Sequence, residues 1–334
     1  SAASDVYKRQ AYHIQGVKKI AITVKEAYFN SSTGTNKIRC LIWQNKEQIP
    51  KAIFQIAHGV CEHIERYDEF ARFLAERGFI VCGNDHLGHG KSAENLEKLG
   101  YTCEHNGHIR MVDDMHILTK IMKKKYPDLP YILFGHSMGS FCARNYAAKF
   151  GDELSGVIFC GTGDFPQLIS VAEGPVKALT ENFGAATPAT ALSHKFNVIM
   201  NRQFASGGRT DYDWLSKNPE NVEKYICDPY CGFVMTYSLA RDVLMLASEC
   251  SKSQWPEQIP VGLPIMMISG ARDPVGANGR AIISVCDKLM RAGHNPEVIL
   301  YPDNRHEILN EDDREKIFGD IYTWLTDVLN GEVL

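Results

Sequence analysis

The stretch Phe134-Gly135-His136-Ser137-Met138-Gly139-Ser140 joins a short apolar run, Pro130-Tyr131-Ile132-Leu133-Phe134, to a segment of helical composition, Phe141-Cys142-Ala143-Arg144-Asn145-Tyr146-Ala147-Ala148. A Ser with Gly two residues before and two after, between strand and helix, has the form G-x-S-x-G. Such a turn is sharp enough to strain the Ser backbone, and side chains at the flanking positions would collide. It lifts the Ser137 oxygen clear of the sheet and aims the free N–H groups of the following helix at the same point. The alternative is a Gly-rich turn whose Ser merely caps the helix. The rest of the chain decides between the two.

Upstream of this turn, β-rich segments at 17–29 and 37–43 flank the turn-forming cluster Asn30–Asn36, which predicts an antiparallel hairpin. Ala52–Ala57 reads as a buried strand ending at His58-Gly59. A helix over Tyr67–Arg77 follows, closed by Gly78, then a strand at Phe79–Cys82 and a loop from Asp85 to Gly90. Ile109–Lys125 is helical, with Val112, Met115, Leu118, Ile121 and Met122 on one face. Downstream, Val157–Cys160 is a strand.

From Gly163 to Pro260 strand-like runs give way to helical pieces broken by Gly, Pro and aromatic residues, with Asp213–Pro219 reading as a helix end. Alternation resumes with a strand at Pro264–Gly270, a helix at Asn278–Ala292, a strand at Glu297–Tyr301 and a helix at Asp313–Leu329. In the last of these, Ile317, Ile321, Trp324 and Val328 share one face. This pattern predicts an α/β fold: a mostly parallel eight-stranded sheet with helices on both faces, opened by a hairpin. Residues 11–162 and 261–334 form its core, and 163–260 form an inserted helical cap. Ser1–Gln10 lacks an apolar run and reads as a non-native tail, set aside from the fold.

A chain of 334 residues with 44% hydrophobic content supports a large core. Its net charge of -4 and the lack of a Lys/Arg block argue against nucleic acid as a partner. No apolar run approaches the roughly 18 residues that span a bilayer, which argues against stable membrane insertion. Ten cysteines are scattered, several inside apolar strand-like runs, so a reducing, cytoplasmic setting is expected. The close pair Cys227 and Cys231 lacks two further ligands at sensible spacing, so no metal is expected.

A Ser hydroxyl needs a base within hydrogen-bond reach and an acid to orient that base. His306 lies just past the strand at 297–301, and Asp273 just past the strand at 264–270. Asp303 is the rival acid, but it shares a loop with His306, an awkward place from which to support the imidazole. Acyl transfer also needs about two N–H donors aimed at the developing oxyanion. The backbone of Met138 supplies one; the loop His58-Gly59-Val60-Cys61-Glu62-His63 supplies the other, at Val60. Gly59 there lets the backbone approach the site, with His58, Glu62 and His63 as supporting residues. A bulky thiol adduct on Cys61, one residue from Val60, is expected to slow acylation.

His58-Gly59-x-x-Glu62-His63, Asp85-x-x-Gly88-His89-Gly90-x-Ser92, Gly135-His136-Ser137-Met138-Gly139 and Arg305-His306-Glu307 together resemble the monoacylglycerol lipase and lysophospholipase branch of the α/β-hydrolase superfamily. The resemblance runs from about Lys51 to Leu329 and is strong in the core, weak in the cap. It implies Ser137 as nucleophile, Asp273 and His306 as its partners, Val60 and Met138 as oxyanion donors, and no cofactor. Its implied substrate is a small acyl ester of the monoacylglycerol, lysophospholipid or carboxylester type; apolar residues of the cap add an expectation of transient contact with a lipid surface. Oligomeric state is left open. Val60-Cys61 departs from the usual small residues after His-Gly and affects the acyl pocket. Prolyl-type aminopeptidases of the same fold carry His-Gly-Gly-Pro-Gly here, and this chain lacks that Gly and Pro. A non-catalytic binding protein of this fold is expected to have lost a triad member, and none is missing. In the cap, Phe165, Leu168, Ile169, Val176, Leu179, Phe183, Phe196, Ile199 and Met200 offer apolar surface for an acyl tunnel.

Overall fold

A computed structural model describes residues 22–333. The expected tail at 1–10 and the first residues of the hairpin segment, from Val17, lie outside the described residues. Eight strands form one sheet: β1 (Ile22–Asn30), β2 (Lys37–Asn45), β3 (Ala52–Ala57), β4 (Phe79–Asn84), β5 (Tyr131–His136), β6 (Gly156–Cys160), β7 (Ile265–Gly270) and β8 (Glu297–Tyr301). Their order is β1-β2-β4-β3-β5-β6-β7-β8. Only β1 with β2 and β2 with β4 pair antiparallel; β4 through β8 run parallel. The fold is the expected α/β-hydrolase type.

Parallel strands buried on both faces need apolar residues at every position, and the sheet centre has them. Ile53, Ile80, Tyr131 and Leu133 face one layer, built on α2 (Gly107–Lys125), α3 (Met138–Phe150) and α8 (Arg280–Arg291). Their neighbours Phe54, Val81, Ile132 and Phe134 face the other, built on α1 (Asp68–Ala75) and α9 (Arg314–Asn330). The period of two along each strand sorts the side chains into these two cores. In α2 the apolar stripe is narrower than the spacing suggests: Ile121 is exposed, while Met111 fills the buried face.

Between β6 and β7 the chain carries α4 (Pro166–Phe183), α5 (Thr190–Asn201), α6 (Pro219–Cys227) and α7 (Tyr237–Ser251). Asp213–Pro219 marks a helix beginning, not a helix end. It forms a turn after which Asn218 accepts hydrogen bonds from Glu220 N–H and Asn221 N–H, with Pro219 at the first helical position. Helix α7 packs on both α4 and α3, so the segment grips the sheet's helical layer as well as covering it.

The proposed functional residues all follow strand C-termini: His58–His63 after β3, Ser137 after β5, Asp273 after β7 and His306 after β8. In open parallel sheets this edge gathers the loops into one crevice.

Candidate active site

Ser137 has φ 55° and ψ −121°, a strained conformation for a residue with a Cβ. Packing around the turn holds it there. A Cβ on Gly135 would overlap the Gly139 carbonyl, and a Cβ on Gly139 would overlap the carbonyls of Ala57 and His58. Both glycines are therefore required for β5 and α3 to approach this closely. Met138 opens α3, so its N–H has no intrahelical partner and is free for a ligand.

His306 is buried, and its Nδ1 lies 2.9 Å from Asp273 Oδ2. The other Asp273 oxygen accepts from Val275 N–H at 2.8 Å, which fixes the carboxylate. Asp303, the rival acid, is exposed to solvent. Trp214 from the inserted segment lies against the imidazole, ring centres 5.0 Å apart, and His136 flanks it at 4.6 Å. Ser137 and His306 line one small cavity of about 40 Å³, together with Gly59, Val60, Tyr212 and Tyr225.

The loop after β3 is pinned from both ends. Gly59 N–H donates to Glu62 Oε1 at 2.5 Å. The Cys61 carbonyl accepts from Gly232 N–H and from Tyr225 OH, each at 3.0 Å. Cys61 itself has φ 54°, so the loop turns sharply just after Val60. A Cβ on Gly59 would come within 3.2 Å of Ser137 Cβ, which measures how closely this backbone passes the serine. Cys61 is buried, and burial, with Glu62 adding to it, pushes its thiol well above the ordinary range. A buried neutral thiol is a poor nucleophile, so an adduct at Cys61 forms slowly.

Glu62 is the hub of this loop. Besides Gly59 it accepts from Tyr67 OH at 2.8 Å and from Arg66 at 2.7 Å, and His136 Nδ1 stands 3.5 Å away. Burial alone would raise its carboxyl; His136 and Arg66 outweigh burial and hold it well below the usual carboxylate range. Burial opposes a charge on His136, but Glu62 raises its affinity for a proton above the ordinary histidine value. Arg66 also binds Glu307, the residue after His306. None of the roles of Arg66, Glu307, His136 and Trp214 was assigned from the sequence. His136 and Glu307 stood inside the quoted motifs without a role, the i,i+4 spacing of Glu62 and Arg66 was visible, and nothing marked Trp214.

Beneath the loop lie three buried histidines, His58, His86 and His89. His58 Nε2 accepts from His86 N–H at 2.9 Å, while its Nδ1 lies 2.7 Å from the Gly59 carbonyl. Burial, then the neighbouring imidazoles, keeps His58 well below its usual pKa; burial takes His86 to about 3 and His89 to about 4. All three are neutral near pH 7. Asp85 ties the 85–92 loop to the core, accepting from Ile64 N–H and Lys91 N–H at 2.9 Å and from buried Arg39 at 3.2 Å. His63 is not among the residues lining the small cavity with Ser137; its Nε2 lies 2.9 Å from Asp228 Oδ2.

On the far side of Ser137 a second cavity of about 290 Å³ has an almost wholly apolar wall. Of the cap residues expected to line it, Phe165, Ile169, Val176, Phe196, Ile199 and Met200 do so. Phe183 does not; it is largely exposed and stacks on Tyr237, ring centres 5.5 Å apart. Leu179 is half-buried outside the cavity, and the side chain of Leu168 lies outside the described residues.

A strained serine at a strand-to-helix turn, with a His–Asp pair from later strands in the same crevice, defines the α/β-hydrolase class. The chain belongs to the serine aminopeptidase S33 family, whose profile matches residues 48–313. It is 26% identical over 308 residues to a monoacylglycerol lipase of Mycolicibacterium smegmatis, covering 89% of this chain and 96% of that one. It also resembles the crystal structure of a thermostable carboxyl esterase from Bacillus coagulans in complex with glycerol. There the identity is 32% and the TM-score 0.86, over 92% of this chain and 100% of the esterase. A soluble variant of monoglyceride lipase from Saccharomyces cerevisiae, 17% identical with a TM-score of 0.67, shares the fold over 94% of this chain and 98% of its own. The likeness to the monoacylglycerol lipase branch drawn from the motifs is therefore found along nearly the whole chain.

Proposed function

We infer that this serine ester hydrolase cleaves carboxylic esters of acyl chains through an acyl-enzyme on Ser137. One observation carries the substrate side of this reading: Ser137 lies in the wall of both cavities, one nearly wholly apolar and one small and partly polar. An acyl chain in the first and a small alcohol in the second place an ester carbonyl at the serine between them. Val60 borders both cavities as well.

In the proposed mechanism His306 Nε2 takes the Ser137 proton as the oxygen attacks the ester carbonyl. Asp273, at Nδ1, fixes the tautomer and stabilises the imidazolium without accepting the proton. The tetrahedral oxyanion is held by the N–H groups of Val60 and Met138. Collapse expels the alcohol, with His306 returning the proton, and the acyl-enzyme is then hydrolysed by water that His306 activates. In this reading residues 163–260 act as the cap, supplying the acyl cavity from α4, α5 and α7 and placing Trp214 on the imidazole.

An aminopeptidase must hold a substrate ammonium, which calls for an unpaired carboxylate beside the serine. Among the described residues, the apolar cavity has no carboxylate in its wall. The two in the smaller cavity, Glu62 and Glu307, are both paired with Arg66. That favours esters. The test is hydrolysis of p-nitrophenyl esters of increasing chain length, monoacylglycerols, a lysophospholipid and a prolyl-arylamide, with Ser137→Ala as blank. Cleavage of the arylamide alone overturns the ester reading, and undiminished turnover by Ser137→Ala overturns the nucleophile.

Among the described residues no helix is long and apolar enough to cross a membrane. Ten free cysteines, seven of them buried, support the reading that the chain works in the reducing cytoplasm. Exposed Val171, Val198 and Ile199 on the cap helices support transient contact with a lipid surface.

A further inference from the structure

Asp228 and Cys231 belong to a tight turn after α6, and His63 belongs to the segment after β3. The ligand atoms of these three residues, one each, all lie within 4.8 Å of one another. Within the turn, Tyr230 N–H donates to Asp228 Oδ1 at 2.8 Å and Cys231 N–H donates to the Asp228 carbonyl at 3.0 Å. Those bonds hold the Asp228 carboxylate and keep the Asp228 and Cys231 backbones in one turn before any ligand arrives. Cys227, the sequence neighbour that drew attention to this stretch, is exposed and takes no part.

An imidazole, a carboxylate and a thiol form a borderline-soft donor set, suited to zinc rather than to calcium or magnesium. Bond lengths of about 2.0–2.3 Å put the donors of a tetrahedral zinc site roughly 3.5 Å apart, so closure needs about an ångström of side-chain movement. A fourth position is left for water. Asp228 also lines a surface groove of about 260 Å³ with Arg66, Asn221 and Lys224, which gives an ion a way in. Arg66, Lys224 and Arg314 are the cations of this groove; Arg66 is met by Glu62 at 2.7 Å and Glu307 at 2.5 Å and Arg314 by Glu69 at 2.8 Å, which leaves Lys224 as the charge that opposes binding. The contacts of the Asp228 carboxylate are instead His63 Nε2 at 2.9 Å and Tyr230 N–H at 2.8 Å. The ordinary alternative is an isolated His63–Asp228 contact beside a buried thiol.

We propose that His63, Asp228 and Cys231 form a zinc-binding site that ties the turn after α6 to the loop after β3. Binding exchanges the Cys231 thiol proton, released to solvent, for a sulfur–zinc bond, with no change of oxidation state. The bound ion would reinforce a junction already made by Gly232 N–H and Tyr225 OH on the Cys61 carbonyl.

The test uses the full chain, stripped of metal and shown native by circular dichroism, titrated with zinc and with cobalt(II) as a spectroscopic substitute. One equivalent of zinc should bind, the melting temperature should rise, and cobalt should produce a thiolate-to-metal charge-transfer band. Cys231→Ser should lose the band and the stabilisation. Asp228→Asn should weaken zinc binding at least about tenfold, the cost of one weakened ligand set. Cys227→Ser should bind as the parent does. No binding by the parent, a band that survives Cys231→Ser, or one lost in Cys227→Ser would each overturn the site. These readouts are independent of turnover, so they stand apart from the assignment of Ser137.

Discussion

Arg66 and Glu307, 241 residues apart in sequence, are joined by two contacts of 2.5 and 2.7 Å between guanidinium and carboxylate. Because Arg66 also holds Glu62, one side chain links the loop after β3 to the residue beside His306. Replacing it leaves buried Glu307 without its counter-charge and buried Glu62 with only His136 as a counter-charge beside it. Arg66→Met should therefore destabilise the protein by about 3–5 kcal/mol. Turnover should fall as well, since both loops loosen, and Arg66→Lys should recover only part of each because it cannot make the paired contact. Urea unfolding and ester kinetics on the same preparations check this. A variant as stable and active as the parent would show that the link is dispensable.

Gly59 tests the oxyanion assignment. An added Cβ would stand 2.7 Å from Glu62 Oε1 and 3.2 Å from Ser137 Cβ, so the loop must shift. If Val60 N–H is a donor, Gly59→Ala should lower kcat about 10²–10³-fold, the worth of one such donor, with KM little changed. A change confined to KM would place the loop in substrate binding instead.

How much of this was legible beforehand follows from the range of the interactions involved. The eight strands and most helices were readable because periods of two and 3.6 are local properties of the sequence. Ser137 and Met138 were legible for the same reason: Gly135 and Gly139 announce the turn within five residues. Asp273 and His306 could be singled out because each follows its own strand. Arg66 could not, since its partner lies 241 residues away and nothing local marks the pairing. Trp214 escaped notice because the irregular inserted segment gives no register from which to place a side chain over His306. The beginning of α6 at Pro219 was misread because Asn218-Pro219, a capping pair, also occurs where helices stop.

The buried histidines set an acid limit. His86 and His89 are neutral in the fold, with pKa values of about 3 and about 4, and near 6.5 when unfolded. Below pH 6.5 the unfolded chain therefore binds protons that the folded chain refuses. Their contribution to stability is complete above pH 6.5 and is lost as pH falls to about 4 for His89 and about 3 for His86. Each contributes a slope approaching about 1.4 kcal/mol per pH unit inside its window. Chemical denaturation from pH 7 to 4 should show this fall. His86→Leu, which removes two ring nitrogens that have no partner among the described residues, should make it shallower. A pH-independent midpoint over that range would mean these rings are protonated in the native state.

The apolar cavity predicts a chain-length preference that one substitution should reverse. Ala172 lies in its wall and is half-buried, so a larger side chain there occupies acyl space while keeping the existing helix contacts. Each methylene buried in such a cavity is worth about 0.8 kcal/mol, or about a fourfold gain in kcat/KM. For the parent, kcat/KM should climb by about that factor per added methylene, or about fifteenfold per two-carbon step along the ester series, until the cavity is full. In Ala172→Phe the climb should stop several carbons earlier while acetate and propionate esters are cleaved at the parental rate. Equal loss across all chain lengths would instead indicate a disturbed serine turn. An unchanged profile would place the acyl chain outside this cavity and shift the search for specificity to the smaller one bordered by Tyr212 and Tyr225.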